Sequence, residues 1–531
     1  MILPGKIRLS NMTENITLTL ALMGSFLIGG IQAMGQDSQV FAAKLSTPVD
    51  KSGCVDPADY GFAAGAPPAT NAAALQRSLD GGKRIVQVTR PGVYGLDRTV
   101  WLDSDTRLIF APGVVLQKQT PYVHVLANRG LLSATWNSNI TVEGATIDVN
   151  AFSATHDENS LMFGNRGQIA FCRIRDLTVR KFTCLNLEGA QFGVQIAAFE
   201  NVVLDGFEIR GKKDGVHVNS GRKFVIRNGT LETGDDGIAL NAEDWLGCSP
   251  VLGDVEDGLI ENVTDDGHGH CNFSRILTGA WTDWHAGMRL QRGDTVRCGQ
   301  NVYRVLGPLG TNEFVSLEAP AHTRGIWTDK SGLKFWYMQN DGALSANIRN
   351  VTFRNIYLRS PRNGFLADWE TRSEWNRGMY PELKPENYPV CEVRLEDIYS
   401  DSPHALVSGN ESVRLWLRNI YKTRGPLVNL SPQAHNRDCK IDVWLHLSGV
   451  VLKHDDAKEA DIAVNGAGSS LNLTVDGLMQ ERDLRLLIGP GVRARVNGTG
   501  SVNSLENLTP KAGDSVKVNG VLKTFVGTDW R

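Results

Sequence analysis

Short runs of alternating hydrophobic residues recur along the chain at a fixed distance, with glycine, asparagine or aspartate between them. Residues 202–219 read VVLDGFEIRGKKDGVHVN, and residues 224–241 read FVIRNGTLETGDDGIALN. A shift of 22 residues places hydrophobic on hydrophobic positions and Asn219 on Asn241. The run FGVQI at 192–196 continues the same register one repeat earlier. Runs of this length and alternation predict β-strands.

The constant offset selects one architecture among the all-β folds. A β-sandwich also has many short strands, but it is not expected to keep a constant offset with the same residue type at each corner. A β-solenoid with one coil per roughly 20–25 residues does. Weaker copies begin at Val351, Val393 and Val413. We therefore predict a single-stranded right-handed parallel β-helix, with Val216, Val218, Ile238 and Leu240 pointing into its core.

The same pattern predicts the domain boundaries. The helical stretch Asn71–Leu79 is expected to cap the open N-terminal edge of a β-helix domain that spans residues 36–500. Residues 501–531 lose the pattern and are expected to form a C-terminal tail packed on the helix. Residues 243–345 are polar and aromatic, and they predict a large loop/β insertion. Long insertions in solenoids often lie on the binding face.

Residues 1–35 have the features of an export signal. Lys6 and Arg8 precede the apolar run Leu18–Ile31, and Ala33-Met34-Gly35 provides small residues for cleavage. The run is short for a membrane span, and a buried N-terminal helix is the alternative. We expect a secreted or periplasmic protein that is free of the membrane after cleavage.

Composition excludes several classes of partner and cofactor. A net charge of −3 gives no electrostatic footprint for nucleic acid. The eight cysteines contain no Cys-x-x-Cys pair, which excludes zinc-ribbon and thioredoxin sites. Some can form disulfides after export, although Cys172 and Cys184 fit equally well as small buried hydrophobes. We expect no cofactor, no nucleic-acid partner and a monomer.

Three aspartates in two consecutive coils carry the clearest chemical signal. The 22-residue offset places Asp214 and Asp236 at the same corner, with Cα atoms about 4.8 Å apart, and Asp235 adjoins Asp236. Like charges this close raise one another's pKa, so one carboxyl is expected to stay protonated near neutral pH. Glycoside hydrolysis needs such a proton donor beside ionised carboxylates. The alternatives are ordinary Asp-Gly turns and a calcium site.

These coils resemble glycoside hydrolase family 28, the polygalacturonase family of the pectin-lyase-like superfamily. That family carries Asn-Thr-Asp, Gly-Asp-Asp, Gly-His-Gly and Arg-Ile-Lys, and this chain has Asp214, Gly234-Asp235-Asp236 and Gly267-His268-Gly269. The resemblance implies an inverting enzyme in which Asp235 is the general acid. It implies that Asp214 and Asp236 hold and deprotonate the attacking water. It implies that His268 tunes the acid or contacts the sugar.

The chain departs from the family pattern at several positions. Lys212 and Lys213 replace Asn and Thr, and no full Arg-Ile-Lys match follows His268. His268 and His270 lack a third ligand at suitable spacing, so no metal site is predicted. His217 alternates with inward-pointing neighbours, so it is either a cleft residue or an exposed one. We predict substrate contacts at four positions: Lys213, His217, Asn241 and Arg275.

The predicted function is a secreted glycosidase acting on a plant or algal polysaccharide, pectin-type or a related galacto-configured glycan, or on its oligosaccharides. Two alternatives use the same scaffold: a polysaccharide lyase with Ca²⁺ and an Arg or Lys base, and a non-catalytic carbohydrate-binding β-helix. Five tryptophans in irregular segments are candidates for sugar stacking or for packing of the insertion: Trp245, Trp281, Trp284, Trp369 and Trp375.

Overall fold

A computed structural model describes residues 53–80, 84–269, 271–307, 313–370, 382–432, 440–453, 459–478, 482–518, 521–526 and 528–531. The predicted export signal, residues 1–35, therefore lies outside the described residues. No helix within these ranges is long and apolar enough to cross a membrane.

The chain forms the predicted right-handed parallel β-helix. One sheet of 28 strands follows the solenoid, and strands in successive coils pair in parallel. The 22-residue offset is the pairing register itself, because Val194, Val216 and Ile238 are partners in consecutive coils. Val216, Val218, Ile238 and Leu240 are all buried in the core, as predicted.

The solenoid strands fall into three groups along the chain. The N-terminal coils contain Cys54–Val55, Ile85–Val88, Gly92–Leu96, Val100–Leu102, Thr106–Phe110, Val114–Lys118, Leu126–Asn128, Asn137–Glu143 and Thr146–Asp148. The central coils contain Gly167–Leu187, Phe192–Gly211, Val216–Thr233, Ile238–Asn241, Val255–Asp265 and Asn272–Ala280. The C-terminal coils contain Ser345–Ala346, Ile348–Leu358, Asn363–Glu370, Cys391–Ser400, Val407–Gly409, Val413–Lys422, Val428–Leu430, Asp442–Ser448, Val451–Leu452, Ile462–Val464, Ser470–Asp476, Leu486–Ile488 and Arg493–Gly498.

Helices are few and short among the described residues. The α-helix Pro68–Leu79 contains the predicted helical stretch Asn71–Leu79; it begins with proline, whose missing N–H costs nothing there, and buries Leu75 and Leu79 against the first coils. The remaining helical turns are Pro57–Tyr60, Gly130–Ser133 and Pro385–Asn387.

The insertion is shorter than predicted. Val255–Asp265 pairs in parallel with the coils before and after it, and so does Asn272–Ala280, so these segments form a coil of the solenoid. The 13-residue segment 242–254 precedes this coil and changes the offset, since Gly221 pairs with Val255 instead of a residue 22 positions later. Because this segment interrupts the 22-residue periodicity, the sequence pattern does not identify the coil that follows it.

The insertion proper follows Ala280 and returns to the solenoid at Ser345–Ala346. It contains a five-stranded and a two-stranded sheet, and Trp281 and Phe335 join the main hydrophobic core. Its strands are Thr282–Asp283, Arg289–Leu290, Thr295–Cys298, Asn301–Gly307, Phe314–Val315, Ile326–Thr328 and Lys334–Asn340.

Residues 501–531 form a small four-stranded sheet at the end of the solenoid. Val502 and Val516 are fully buried in the same core cluster as the coils. The strands are Ser501–Val502, Ser515–Val518, Val521–Val526 and Asp529–Trp530.

The seven cysteines among the described residues are free thiols. Cys184 is buried in the main core of the coils, and Cys172 is buried in a separate small hydrophobic cluster.

Candidate functional site

Two stacked turns carry the three aspartates. The first joins strand Phe192–Gly211 to strand Val216–Thr233, and the second lies one coil later, before Ile238–Asn241. The N–H of Gly215 donates to the carbonyl of Asp236 at 2.9 Å, so the turns are bonded to each other as the strands are. Asp214 and Asp236 therefore occupy the same corner, as the sequence predicts.

Lys213 brings the carboxylates together on the outer side of these turns. Its Nζ contacts the carboxylate of Asp235 and lies 3.4 Å from Oδ1 of Asp214. Asp214 and Asp236 are almost fully buried, whereas the Asp235 side chain is 22% exposed. Asp235 is thus the carboxylate of the three that a bound molecule reaches first.

Asp214 belongs to a chain of buried charged groups. Its Oδ2 lies 2.9 Å from Nδ1 of His217, and Nε2 of His217 lies 3.0 Å from Oδ2 of Asp244. Burial by itself raises the pKa of Asp214, but the hydrogen bond from His217 and the charge of Lys213 outweigh it. The pKa of Asp214 is therefore lowered, and the group stays ionised.

The pKa of Asp236 is shifted in the opposite direction. Its pKa is raised first by burial and then by the like charge of Asp214. Asn272 partly offsets this by donating to Oδ1 from its backbone N–H at 3.2 Å and from Nδ2 at 3.0 Å. Arg275 adds a favourable charge. The net effect is a raised pKa for Asp236.

Arg362 fixes the turn that carries Asp235, and sequence reasoning did not find it. Its guanidinium is buried in an ion pair with Asp265 and donates to the backbone carbonyls of Thr233 and Asp235. A Cβ on Gly267 would lie 2.3 Å from this guanidinium. Arg362 comes 127 residues after Asp235 and from another coil, so no local motif marks it.

The Gly267-His268-Gly269 turn packs directly on the second aspartate turn. The backbone N–H of His268 donates to the carbonyl of Thr233 at 2.9 Å, and its side chain is exposed. Gly269 has a φ of 96°, and a Cβ there would lie 2.5 Å from the carbonyl oxygen of Gly234. The turn therefore requires glycine on both sides of a histidine that lies on the surface beside Asp235.

The other predicted contact residues differ in accessibility. Arg275 is partly exposed and near enough to Asp236 and Asp244 to influence both carboxyls. It opens the sequence Arg275-Ile276-Leu277, which keeps two of the three residues of the Arg-Ile-Lys motif. Asn241 is 1% exposed and donates to Asp244 at 2.9 Å, and His217 is also 1% exposed. Both lie beneath the surface of the site.

Asp244 is a further residue that sequence reasoning missed. It follows Asn241 by three positions, in a segment that the sequence assigns to the insertion. Trp245, directly after it, is 40% exposed, whereas Trp281 and Trp369 are buried and Trp284 packs partly buried against the core. Trp375 lies outside the described residues. Trp245 is thus the best placed of the four described tryptophans for stacking on a sugar.

One group of donor atoms among the described residues has the spacing of a metal site. The candidate ligand atoms of Asp235, Asp236 and Cys271 lie within 4.8 Å of one another. Burial raises the pKa of the Cys271 thiol, which favours the form that does not bind metals. The Lys213 ammonium already contacts Asp235. The Lys213 ammonium therefore supplies a positive charge at this corner.

Comparisons with known proteins find similarity in structure only. No protein-family model and no curated protein sequence matches the chain. It is similar to the family 28 exopolygalacturonase of Yersinia enterocolitica (TM-score 0.46, 14% identity, covering 80% of this chain and 78% of that one). It is also similar to the endo-xylogalacturonan hydrolase of Aspergillus tubingensis (TM-score 0.45, 10% identity, 78% and 96%).

A third structure with similarity is PfbA, a surface adhesin of Streptococcus pneumoniae (TM-score 0.38, 12% identity, 89% and 100%). These neighbours include both hydrolases and an adhesin. The function of this chain must therefore be inferred from its own side chains.

Proposed function

We propose that the chain is a glycoside hydrolase that cleaves a plant or algal polysaccharide, pectin-type or a related galacto-configured glycan, at the corner formed by Asp214, Asp235 and Asp236. The observation that carries the proposal is that two buried carboxyls, one coil apart, have pKa values shifted in opposite directions. The pKa of Asp214 is lowered and that of Asp236 is raised. Neighbouring carboxyls whose environments move their pKa values apart are typical of acid–base sites.

Each aspartate then has a distinct role in a single displacement. Asp235, the most exposed, donates a proton to the leaving glycosidic oxygen as the bond to the anomeric carbon breaks. Water bonds to that carbon from the opposite face and gives a proton to the ionised Asp214. Asp236 holds the water by a hydrogen bond. This arrangement inverts the anomeric configuration.

The groups around the corner supply substrate contacts. Arg275 and Lys213 offer positive charge to an acidic sugar, and the exposed side chain of His268 lies on the rim. Trp245 offers an aromatic face beside the same site. These contacts support an acidic or mixed glycan as the substrate.

The first test is a screen of the purified protein against polygalacturonate, a neutral galactan and an algal galactan. New reducing ends without absorbance from an unsaturated product are expected, and EDTA should leave the rate unchanged. An unsaturated product that disappears with EDTA would instead identify a lyase. Binding without any cleavage would identify a non-catalytic glycan-binding protein.

Asp235→Asn tests the proton donor. It should lower kcat by about 10²–10⁴-fold while leaving the folded structure intact, because the amide keeps the shape and has no proton to give. Asp266→Asn, an exposed aspartate on the neighbouring turn, is the matched control and should keep full activity. Proton NMR of the first product should show inversion. Near wild-type activity in Asp235→Asn, or a retained configuration, would contradict the assignment.

A further inference from the structure

We propose that His217 and Asp244 form a buried clamp that keeps Asp214 ionised and fixed in one orientation, so that His217 is a positioning residue and not a substrate contact. This inference rests on the proposed function, in which Asp214 is the base that accepts the proton of water. It assigns a role to Asp244 that the sequence does not indicate.

The geometry of the clamp is that of an imidazolium between two carboxylates. Nδ1 of His217 donates to Oδ2 of Asp214 at 2.9 Å, and Nε2 lies 3.0 Å from Oδ2 of Asp244. Nδ1 is thus hydrogen-bonded, whereas Nε2 makes an ion-pair contact outside hydrogen-bond geometry, and a carboxylate on each side of the ring favours the charged imidazolium. The second oxygen of Asp214, Oδ1, accepts no hydrogen bond within the described part of the chain and faces Lys213. That oxygen is the one left for a water molecule.

Packing holds the imidazole in place. The ring of His217 stacks on Phe192 of the preceding coil, with centroids 4.1 Å apart and planes 2° from parallel. Asp244 is fixed in turn by the side chain of Asn241 at 2.9 Å and by the backbone N–H of Trp245 at 2.6 Å. A ring stacked on Phe192, hydrogen-bonded at Nδ1 and paired in charge with Asp244 at Nε2 is held in one orientation, and it transmits that orientation to Asp214.

Burial excludes a direct contact between His217 and a bound sugar. The residue is 1% exposed, below Asp214 as seen from the surface. A group that never meets the substrate acts through the residue that does. Its loss should therefore change kcat and the pH dependence of catalysis more than KM.

The surrounding charges agree with a protonated His217. Burial by itself lowers its pKa, but hydrogen bonds and charges from Asp214 and Asp244 outweigh this and raise it to about 8. The pKa of Asp244 is lowered, because His217 and Arg275 outweigh the effect of burial. Other titratable groups packed around this cluster are Lys213, Asp236, Glu243 and Cys248.

The sign of the pH effect follows from these shifts. Below about pH 8 the imidazolium is present and Asp214 keeps a lowered pKa, so the base stays active into the acidic range. Loss of the cation should let the pKa of Asp214 rise by about one unit or more. The acidic limb of the kcat profile should then move to higher pH.

The test compares two variants of His217. His217→Phe keeps a ring against Phe192 but removes both polar contacts, and His217→Asn keeps a neutral donor near Asp214. We expect the acidic limb to move up by about one unit or more in His217→Phe and by less in His217→Asn, with KM little changed. An unmoved limb in His217→Phe would overturn the clamp. A raised KM with an unmoved limb would restore His217 as a substrate contact.

His124→Phe is the matched control. His124 is also fully buried and bonded, through Nδ1 to the carbonyl oxygen of Gly167 at 2.7 Å, but it lies outside the aspartate corner. This variant should lower the melting temperature without moving the pH profile. A profile shift equal to that of His217→Phe would mean that the effect is merely structural, and it would count against the clamp.

A second readout needs no substrate and separates this inference from the proposed function. NMR titration of protein labelled with ¹⁵N at histidine should show the His217 imidazole protonated at pH 7, and Asp244→Asn should lower its pKa. A neutral His217 at pH 7 overturns the clamp whatever the activity. If no glycan is cleaved but His217 is protonated and depends on Asp244, the hydrolase proposal fails and the clamp stands.

Discussion

Lys213 has a positive charge that reaches both turns of the candidate site. It contacts Asp235 and lies 3.4 Å from Oδ1 of Asp214. Burial by itself lowers the pKa of Lys213, but nearby carboxylates, Asp214 first, raise it overall. The ammonium therefore persists at neutral pH and favours the ionised form of Asp214.

Lys213→Met should move the acidic limb of the activity profile to higher pH, because the base Asp214 loses a neighbouring cation. The measurement is kcat against pH on a glycan that the wild-type protein cleaves. Lys212→Met is the control, since Lys212 is exposed and pairs with Glu188 at 2.9 Å. A raised KM with an unmoved profile would show instead that Lys213 binds the substrate.

At the scale of the elements, aromatic rings of one coil lie over glycines of the next. Phe199 pairs with Gly221, and Phe207 pairs with Gly229. A Cβ on Gly229 would lie 2.0 Å from the Phe207 ring. The glycine makes room for a ring that would otherwise be too large for a stack of coils about 4.8 Å apart.

Gly229→Ala should lower the free energy of unfolding by about 1–3 kcal/mol, because the added methyl overpacks the ring. The measurement is the denaturant midpoint. Phe207→Leu removes much of the ring, so the same Gly229→Ala change should cost less in that background. An equal cost in both backgrounds would show that the ring is not the cause.

Asparagines mark the tight turns for a different reason. Asn228, Asn262 and Asn355 lie at equivalent positions of successive coils, all with φ between 53° and 58°. Their side chains bond to one another, Asn262 to Asn228 at 3.1 Å and Asn355 to Asn262 at 2.6 Å. Asparagine tolerates the left-handed conformation and its amide extends the ladder outside the core.

At the scale of the whole molecule, Glu243 joins the solenoid to the insertion. It accepts a hydrogen bond from Thr295 of the insertion at 2.7 Å, and it is 2% exposed. Burial raises its pKa to about 7, although Arg304 acts in the opposite direction. The junction therefore contains a carboxyl that folding prefers to keep protonated.

The variant Glu243→Gln tests this junction through the pH dependence of the free energy of unfolding. The folded pKa lies above the unfolded one, so the stabilisation is complete below about pH 4.5 and is lost as pH rises through about 7. Relative to Glu243→Gln, the wild-type free energy of unfolding should fall by about 3 kcal/mol over that range. The measurement is a denaturant series at several pH values. Glu256→Gln, at a surface ion pair with Arg349, should show no such difference.

The sequence by itself determined the repeat, and with it the register of the coils. Strand pairing in a β-helix joins residues one repeat apart, so the offset that aligns Val216 with Ile238 also aligns Asp214 with Asp236. The corner and its three carboxylates were therefore predictable from spacing alone. The segment 242–254 interrupts that spacing. For this reason the sequence pattern assigns the coil that carries Asn272 and Arg275 to the insertion.

Only the tertiary structure decided what surrounds those carboxylates. Asp244, Asn272 and Arg362 reach the corner from a loop, from the next coil and from a coil beyond the insertion, and no fixed offset connects them to Asp214. Their effect depends on burial, since the same charges in water would barely change a pKa. The sequence placed three like charges together, and the folded chain moved the pKa values of Asp214 and Asp236 in opposite directions.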